Sequence, residues 1–208
     1  MAIDVVAFDV GETLIDETRL WRGYAEVLCV SERDLLCKRD EVIARGDHHH
    51  RALEFFQSDI DWAALRAISQ TMDASDLYPD VGPCLAELRR RGIRIAIAGN
   101  QPIVAEAALE QMGFAAEIVA SSERWGVAKP DPAFFAKLIE ATGTDAEHIA
   151  YVGDRLDNDV VPALRAGLTA VLLVRGPWGR SHIKRPDAQQ ASLVLHDLAA
   201  LPQALKRL

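Results

Sequence analysis

Val5-Val6-Ala7-Phe8-Asp9-Val10-Gly11-Glu12-Thr13-Leu14 decides how this chain is read. A short β-prone apolar run delivers one carboxylate at its carboxyl end, breaks at a glycine and restarts on a polar residue. A buried strand hands a reactive group to a loop in this way. In open α/β sheets ligands gather at the carboxyl ends of the parallel strands, so Asp9 is placed for nucleophilic or metal work. Taken alone, the stretch also fits an acid that starts a turn or caps a helix, and later stretches decide between the two.

Outward from Leu14 the apolar period becomes helical. Leu20, Tyr24, Val27 and Leu28 share one face, followed by Leu35, Leu36, Val42 and Ile43. Residues 16–79 hold no convincing strand, and further helices are expected over 52–56 and 62–72, with Asp59 and Asp61 as candidate caps of the second. The economical description is a helical insert between the first two strands of a sheet. Within it, His48-His49-His50 invites a metal reading, but neighbours in sequence point to different sides of a helix or strand and need a loop to grip one ion. A solvated helix start is therefore expected there. Tyr78-Pro79-Asp80-Val81-Gly82-Pro83 ends the insert with stiff, turn-forming residues, a hinge.

Beyond the hinge, strands are expected over 93–98, 118–120, 149–152 and 170–174, separated by helices over 84–91, 102–112, 132–141 and 160–166. That alternation predicts βαβ units and a parallel sheet. An edge strand over 192–195 and a helix over 197–205 complete the chain.

A length of 208 residues, half of them hydrophobic, suits one core domain with room for an inserted subdomain. The 23 Lys plus Arg against 31 Asp plus Glu give a net charge of −8, which disfavours nonspecific attraction to nucleic acid or an anionic membrane. Cys29, Cys37 and Cys84 are odd in number and lack metal-ligand spacing, so a reducing compartment without disulfides is expected. Neither a cleavable signal nor an apolar run of about 18 residues is present, and the expected location is cytoplasmic.

Three further stretches carry chemistry. Ile97-Ala98-Gly99-Asn100-Gln101-Pro102 ends an apolar strand in a glycine, an amide and a proline suited to a first helical turn, where backbone N–H groups can hold an anion. Gly126-Val127-Ala128-Lys129-Pro130-Asp131-Pro132 fixes one lysine between a glycine and two prolines, either to neutralise a phosphate or carboxylate or as a plain surface lysine. Tyr151-Val152-Gly153-Asp154-Arg155-Leu156-Asp157-Asn158-Asp159 again sets acids at the end of an apolar strand. Converging carboxylates repel unless a cation sits between them, and hard oxygen ligands prefer Mg²⁺. Arg155 and Arg175, each near a strand end, are candidate anion contacts.

In this order the four stretches resemble the haloacid dehalogenase superfamily of hydrolases, with a helical cap inserted after the first motif. The resemblance covers nearly the whole chain. The family's first motif, D-x-D-x-T, is matched by Asp9 and Thr13, with Gly11 where the second aspartate belongs. The second, a Ser or Thr at a strand end, is Gly99 here, followed by a matching Asn100. The third is Lys129 in its usual Lys-Pro setting, and the fourth, G-D-x-x-x-x-D, is Gly153, Asp154 and Asp159.

The resemblance implies an α/β fold: a three-layer Rossmann-like parallel core of residues 1–15 and 80–208 with an α-helical cap over 16–79, as a monomer or homodimer. It implies a phosphatase in which Asp9 attacks a small phosphorylated substrate and the aspartyl-phosphate is hydrolysed by water. Mg²⁺ is then held by Asp9, the backbone carbonyl of Gly11 and Asp154, with Asp159 supporting from behind. Gly99, Asn100, Lys129 and Arg155 take the phosphoryl group. The acid missing at Gly11 normally protonates the leaving oxygen and activates water, a role whose loss costs about 10²–10⁴-fold. Glu12, one place later, is the candidate replacement.

Three other readings stay open. Phosphonate hydrolases of the superfamily also lack the second acid but use a cap lysine as a Schiff base, and Lys38 is the only lysine in the insert. The 2-haloacid dehalogenases have a different fourth motif and need no Mg²⁺. A catalytically impaired binding or regulatory protein is the third.

Overall fold

Strand β1 (Val5–Phe8) buries all four of its side chains, because it has a neighbour along each edge and helices over both faces. A strand in that position has no reason to alternate, and Val-Val-Ala-Phe does not. This computed structural model describes residues 2–56, 59–69 and 71–208. After β1 come four helices, α1 (Thr18–Val27), α2 (Glu32–Ala44), α3 (Arg51–Phe56) and α4 (Trp62–Ser69). Helix α5 (Val81–Arg90), strand β2 (Arg94–Gly99), helix α6 (Val104–Gln111), strand β3 (Ile118–Ser121) and helices α7 (Ser122–Trp125) and α8 (Pro132–Thr142) follow. Strand β4 (Ile149–Gly153) leads through a π-type turn, Leu156–Val160, into α9 (Val161–Arg165). Strand β5 (Thr169–Leu173), helix α10 (Gly176–His182), strand β6 (Leu193–Leu195) and helix α11 (Leu201–Ala204) complete the order.

The six strands form one parallel sheet in the order β3-β2-β1-β4-β5-β6, a Rossmann-like arrangement. The chain runs from β1 outward to β3, then returns to lay β4 along the other edge of β1. That reversal opens a crevice at the carboxyl ends of β1 and β4, where Phe8 and Val152 are partners in register. On one face Val5, Ala7, Ala96, Ala98, Tyr151 and Leu172 pack with Phe134, Phe135 and Leu138 of α8 and with Val160 and Ala163. Small residues in the central strands leave room for the rings, and Phe135 meets Tyr151 edge to face at 5.3 Å.

The chain divides into two compact units, Met1–Ile15 with Leu77–Leu208, and Asp16–Asp76. Leu77 to Pro79, expected in the insert, belong to the sheet unit: Ile15 bridges Leu77, and the Tyr78 N–H donates to Leu14 O at 3.1 Å. The second unit is helical and packs around Trp21, Tyr24, Leu35, Val42, Leu53 and Leu65. Its helix expected over 62–72 ends at Ser69, and Gln70 lies outside the described residues. His48, His49 and His50 form the turn that opens α3, their carbonyls accepting the Arg51, Ala52 and Leu53 N–H groups at 3.0 Å each, and His49 and His50 are half-buried rather than solvated.

Several expected boundaries shift for local reasons. Helix α5 begins at Val81 and absorbs Pro83 in its first turn, where a missing N–H costs nothing. The expected terminal helix breaks into 3₁₀ turns on either side of α11, whose first turn holds Pro202. Helix α10, with sequence GPWGRSH, reads as a turn by composition. Its Gly179 is needed for close packing, since a Cβ there would lie 2.6 Å from the Leu173 carbonyl oxygen. All three cysteines are free thiols. Among the described residues no helix is long and apolar enough to cross a membrane.

Candidate active site

The β-ladder carries one residue beyond β1: the Asp9 N–H donates to Val152 O at 2.9 Å. Asp9 is thereby set beside Gly153-Asp154 at the end of β4. Oxygens of Asp9, Asp154 and Asp159 all lie within 4.8 Å of one another. The three acids are 9%, 2% and 0% exposed. Asp159 returns to this point from the π-type turn, and its Oδ2 accepts the Arg155 N–H at 3.0 Å. Only glycine fits at 153, because a Cβ there would stand 2.4 Å from the Asp159 carboxyl carbon.

Lys129 faces this group from the loop before α8. Its Nζ donates to Asp9 Oδ1 and to Asp159 Oδ1, each at 2.6 Å, and its side chain is fully buried. The Tyr151 ring centroid is 5.2 Å from the ammonium. Burial opposes charge on Lys129, but Asp159 and Asp9 outweigh it and hold the amine's pKa well above its usual value. Burial pushes Asp159 up to about 6 although Lys129 pulls it down, and the Asp9 charge adds to the rise. Asn100 clamps the lysine backbone: Nδ2 donates to Lys129 O at 2.9 Å, and the Lys129 N–H donates to Oδ1 at 2.8 Å. The amide expected to meet substrate is thus engaged in positioning Lys129. Gly99, at the end of β2, brings its backbone so near that a Cβ would lie 2.8 Å from Asp9 Oδ1.

Residues 3–167 match the haloacid dehalogenase-like hydrolase family. The chain belongs to that family. It is similar to glyceraldehyde 3-phosphate phosphatase of Methanopyrus kandleri, 31% identical over 201 residues that span 85% of this chain and 86% of that one. Phosphoglycolate phosphatase of Pseudomonas putida is 32% identical over 69% of this chain and 56% of its own length. The fold is that of L-2-haloacid dehalogenase from Xanthobacter autotrophicus, with a TM-score of 0.70 at 20% identity and 98% of each chain covered.

In this hydrolase the remaining candidates are held elsewhere. Arg155 forms a two-pronged pair with Asp157, at 3.1 and 2.8 Å, and lies 3.9 Å over the Trp178 ring. Gly11 forms a β-bridge with Ile15, and the left-handed residue of the loop is Glu12, φ 52°, not Gly11. The Glu12 carboxylate accepts the Tyr78 hydroxyl at 2.5 Å, and its side chain lies against Gly176, where a Cβ would come within 2.6 Å. Arg175 stacks 4.0 Å over Tyr78, donates to Thr13 O at 3.1 Å and pairs with Asp80. These contacts fasten the loop after β1, and Glu12 is not one of the three clustered acids. Lys38, in the helical unit, donates to Glu41 at 2.6 Å and covers the Phe55 ring.

No sequence signal assigns Tyr151, Tyr78 or Trp178 a place at the site. Tyr151 was legible only as one more apolar strand residue, yet its hydroxyl donates to Ala98 O at 2.7 Å and its ring sits under Lys129.

Proposed function

We propose that this hydrolase is a Mg²⁺-dependent phosphatase that transfers the phosphoryl group of a small phosphorylated metabolite to Asp9 and then to water. The observation that carries the reading is the buried Lys129 ammonium bridging Asp9 and Asp159 beside Asp154. Both curated relatives described above are phosphatases by name.

The donor set fits Mg²⁺. Three buried carboxylates face one ammonium, and a second, hard cation relieves the remaining repulsion. Asp9, Asp154 and the Gly11 carbonyl would hold it, with Asp159 supporting them. When bound, Mg²⁺ would neutralise charge between the attacking carboxylate and the phosphoryl oxygens.

The rest falls to the chain's own groups. An Asp9 oxygen attacks phosphorus, and the bond to the leaving oxygen breaks with its electron pair. Lys129, locked by Asn100, keeps positive charge where two anions must meet. Water then attacks the phosphorus of the aspartyl-phosphate and releases Asp9. No carboxylate at position 11 supplies or removes the proton, so leaving groups that need little protonation are favoured and the second half-reaction is the slower.

A panel of phosphorylated metabolites, assayed for phosphate release with Mg²⁺ or with chelator, tests the proposal. Mg²⁺-dependent release that disappears in Asp9→Asn is the expected result. Equal release by Asp9→Asn would remove Asp9 as nucleophile. Mg²⁺ binding without release from any member would favour the second reading, a binding protein with little turnover, which the glycines at 11 and 99 already recommend.

A further inference from the structure

His48, His49 and His50 lie in the turn between α2 and α3, entirely within the Asp16–Asp76 unit. A turn can do what a helix or strand cannot, which is to converge three consecutive side chains. One nitrogen from each ring lies within 4.8 Å of the other two. Ring centroids are 4.3, 4.8 and 4.6 Å apart in the three pairs. Trp21 of α1 stands edge-on to His49 at 5.6 Å, and Trp62 of α4 lies 6.1 Å from His50.

We propose that these three imidazoles form a second cation site, selective for a transition-metal dication of the Zn²⁺ type and independent of the acid cluster. Imidazole ligates metal in its neutral form, through whichever ring nitrogen carries no proton. Neutral imidazole suits Zn²⁺, Ni²⁺ and Cu²⁺, whereas Mg²⁺ prefers the carboxylates around Asp9. Zn–N bonds of about 2.1 Å at tetrahedral angles set ligand nitrogens roughly 3.4 Å apart, so modest side-chain rotation closes the site. His48 Nδ1 accepts the His50 N–H at 3.3 Å, a long bond that an ion at that nitrogen would replace. The neighbouring Asp47 carboxylate is engaged by Arg51 at 3.1 Å, which leaves the imidazoles as the local donors. An ion here would fasten the α2–α3 turn between the two tryptophans and stiffen the helical unit.

The test uses the full-length chain with any affinity tag removed and millimolar Mg²⁺ present throughout, so that the acid cluster is occupied. Titration calorimetry with Zn²⁺ should show one equivalent bound. His49→Gln and His50→Gln should each weaken it by about 100-fold, at or beyond what loss of an outer partner costs. Pulsed electron paramagnetic resonance on Cu²⁺-loaded wild type should show couplings from the nitrogens of more than one imidazole, which does not depend on any variant folding. Unchanged Zn²⁺ affinity in a folded His49→Gln, His50→Gln double variant would overturn the proposal. So would a copper spectrum with one imidazole or none.

Discussion

Lys129 suits the role proposed for it because it is dry. A solvated lysine could drift among partners, whereas this one touches two carboxylates at 2.6 Å and is clamped through its backbone by Asn100. Removing one member of a buried charge group leaves the others uncompensated. Lys129→Met should therefore abolish turnover and lower stability in urea, by about 3–5 kcal/mol before the partial exposure of Asp9 is discounted. Added Mg²⁺ should restore part of the stability and none of the activity. Gly99 makes a second prediction at this scale. Restoring a larger residue there looks like repair, but a Cβ would press within 2.8 Å of Asp9 Oδ1. Gly99→Ala and Gly99→Ser should both lower kcat by turning Asp9 away from Lys129, and a rise in kcat for Gly99→Ser would show that the missing hydroxyl mattered more. The sequence marked Lys129 by its flanking prolines, but burial and the Asn100 clamp depend on partners 29 residues away or more.

The element that sets the acids is the π-type turn Leu156–Val160, and His182 of α10 holds its start. Nδ1 of His182 accepts the Leu156 N–H at 3.0 Å, which requires that nitrogen to be unprotonated. Burial lowers His182 to about 4, while Asp157 pulls the other way. The unfolded chain therefore binds this proton more readily than the folded one. The stabilisation is complete above about pH 6.5 and is lost as pH falls toward 4, amounting to no more than about 3 kcal/mol. Urea midpoints measured across that window should fall with acidification in wild type, and the slope should flatten in His182→Gln. An equal slope in both would place the acid sensitivity elsewhere. Apolar runs disclosed the strands because buried parallel strands need them. Helix α10 is not legible in the sequence, since its two glycines and proline argue against helix locally, and the close approach of Gly179 to Leu173 is a tertiary fact.

At the scale of the whole molecule, the β1-to-β4 reversal brings together residues 145 positions apart in sequence, Asp9 and Asp154, at one crevice. That meeting was legible because each acid ends an apolar strand and ligands gather at such ends. The fate of Glu12 was not legible, since it depends on Tyr78, Gly176 and a left-handed backbone. Gly11 itself lacks a positive φ, so its backbone admits a side chain. Gly11→Asp should therefore raise steady-state turnover by about 10²-fold or more through faster dephosphorylation. The most direct test is acid quench of wild type with acetyl phosphate and Mg²⁺, followed by peptide mass mapping. A phosphoryl adduct on the Asp9 peptide, absent in Asp9→Asn and depleted in Gly11→Asp, is the predicted result. Rapid phosphate release by wild type with no adduct, together with an inactive Glu12→Gln, would contradict it and make Glu12 the acid and base.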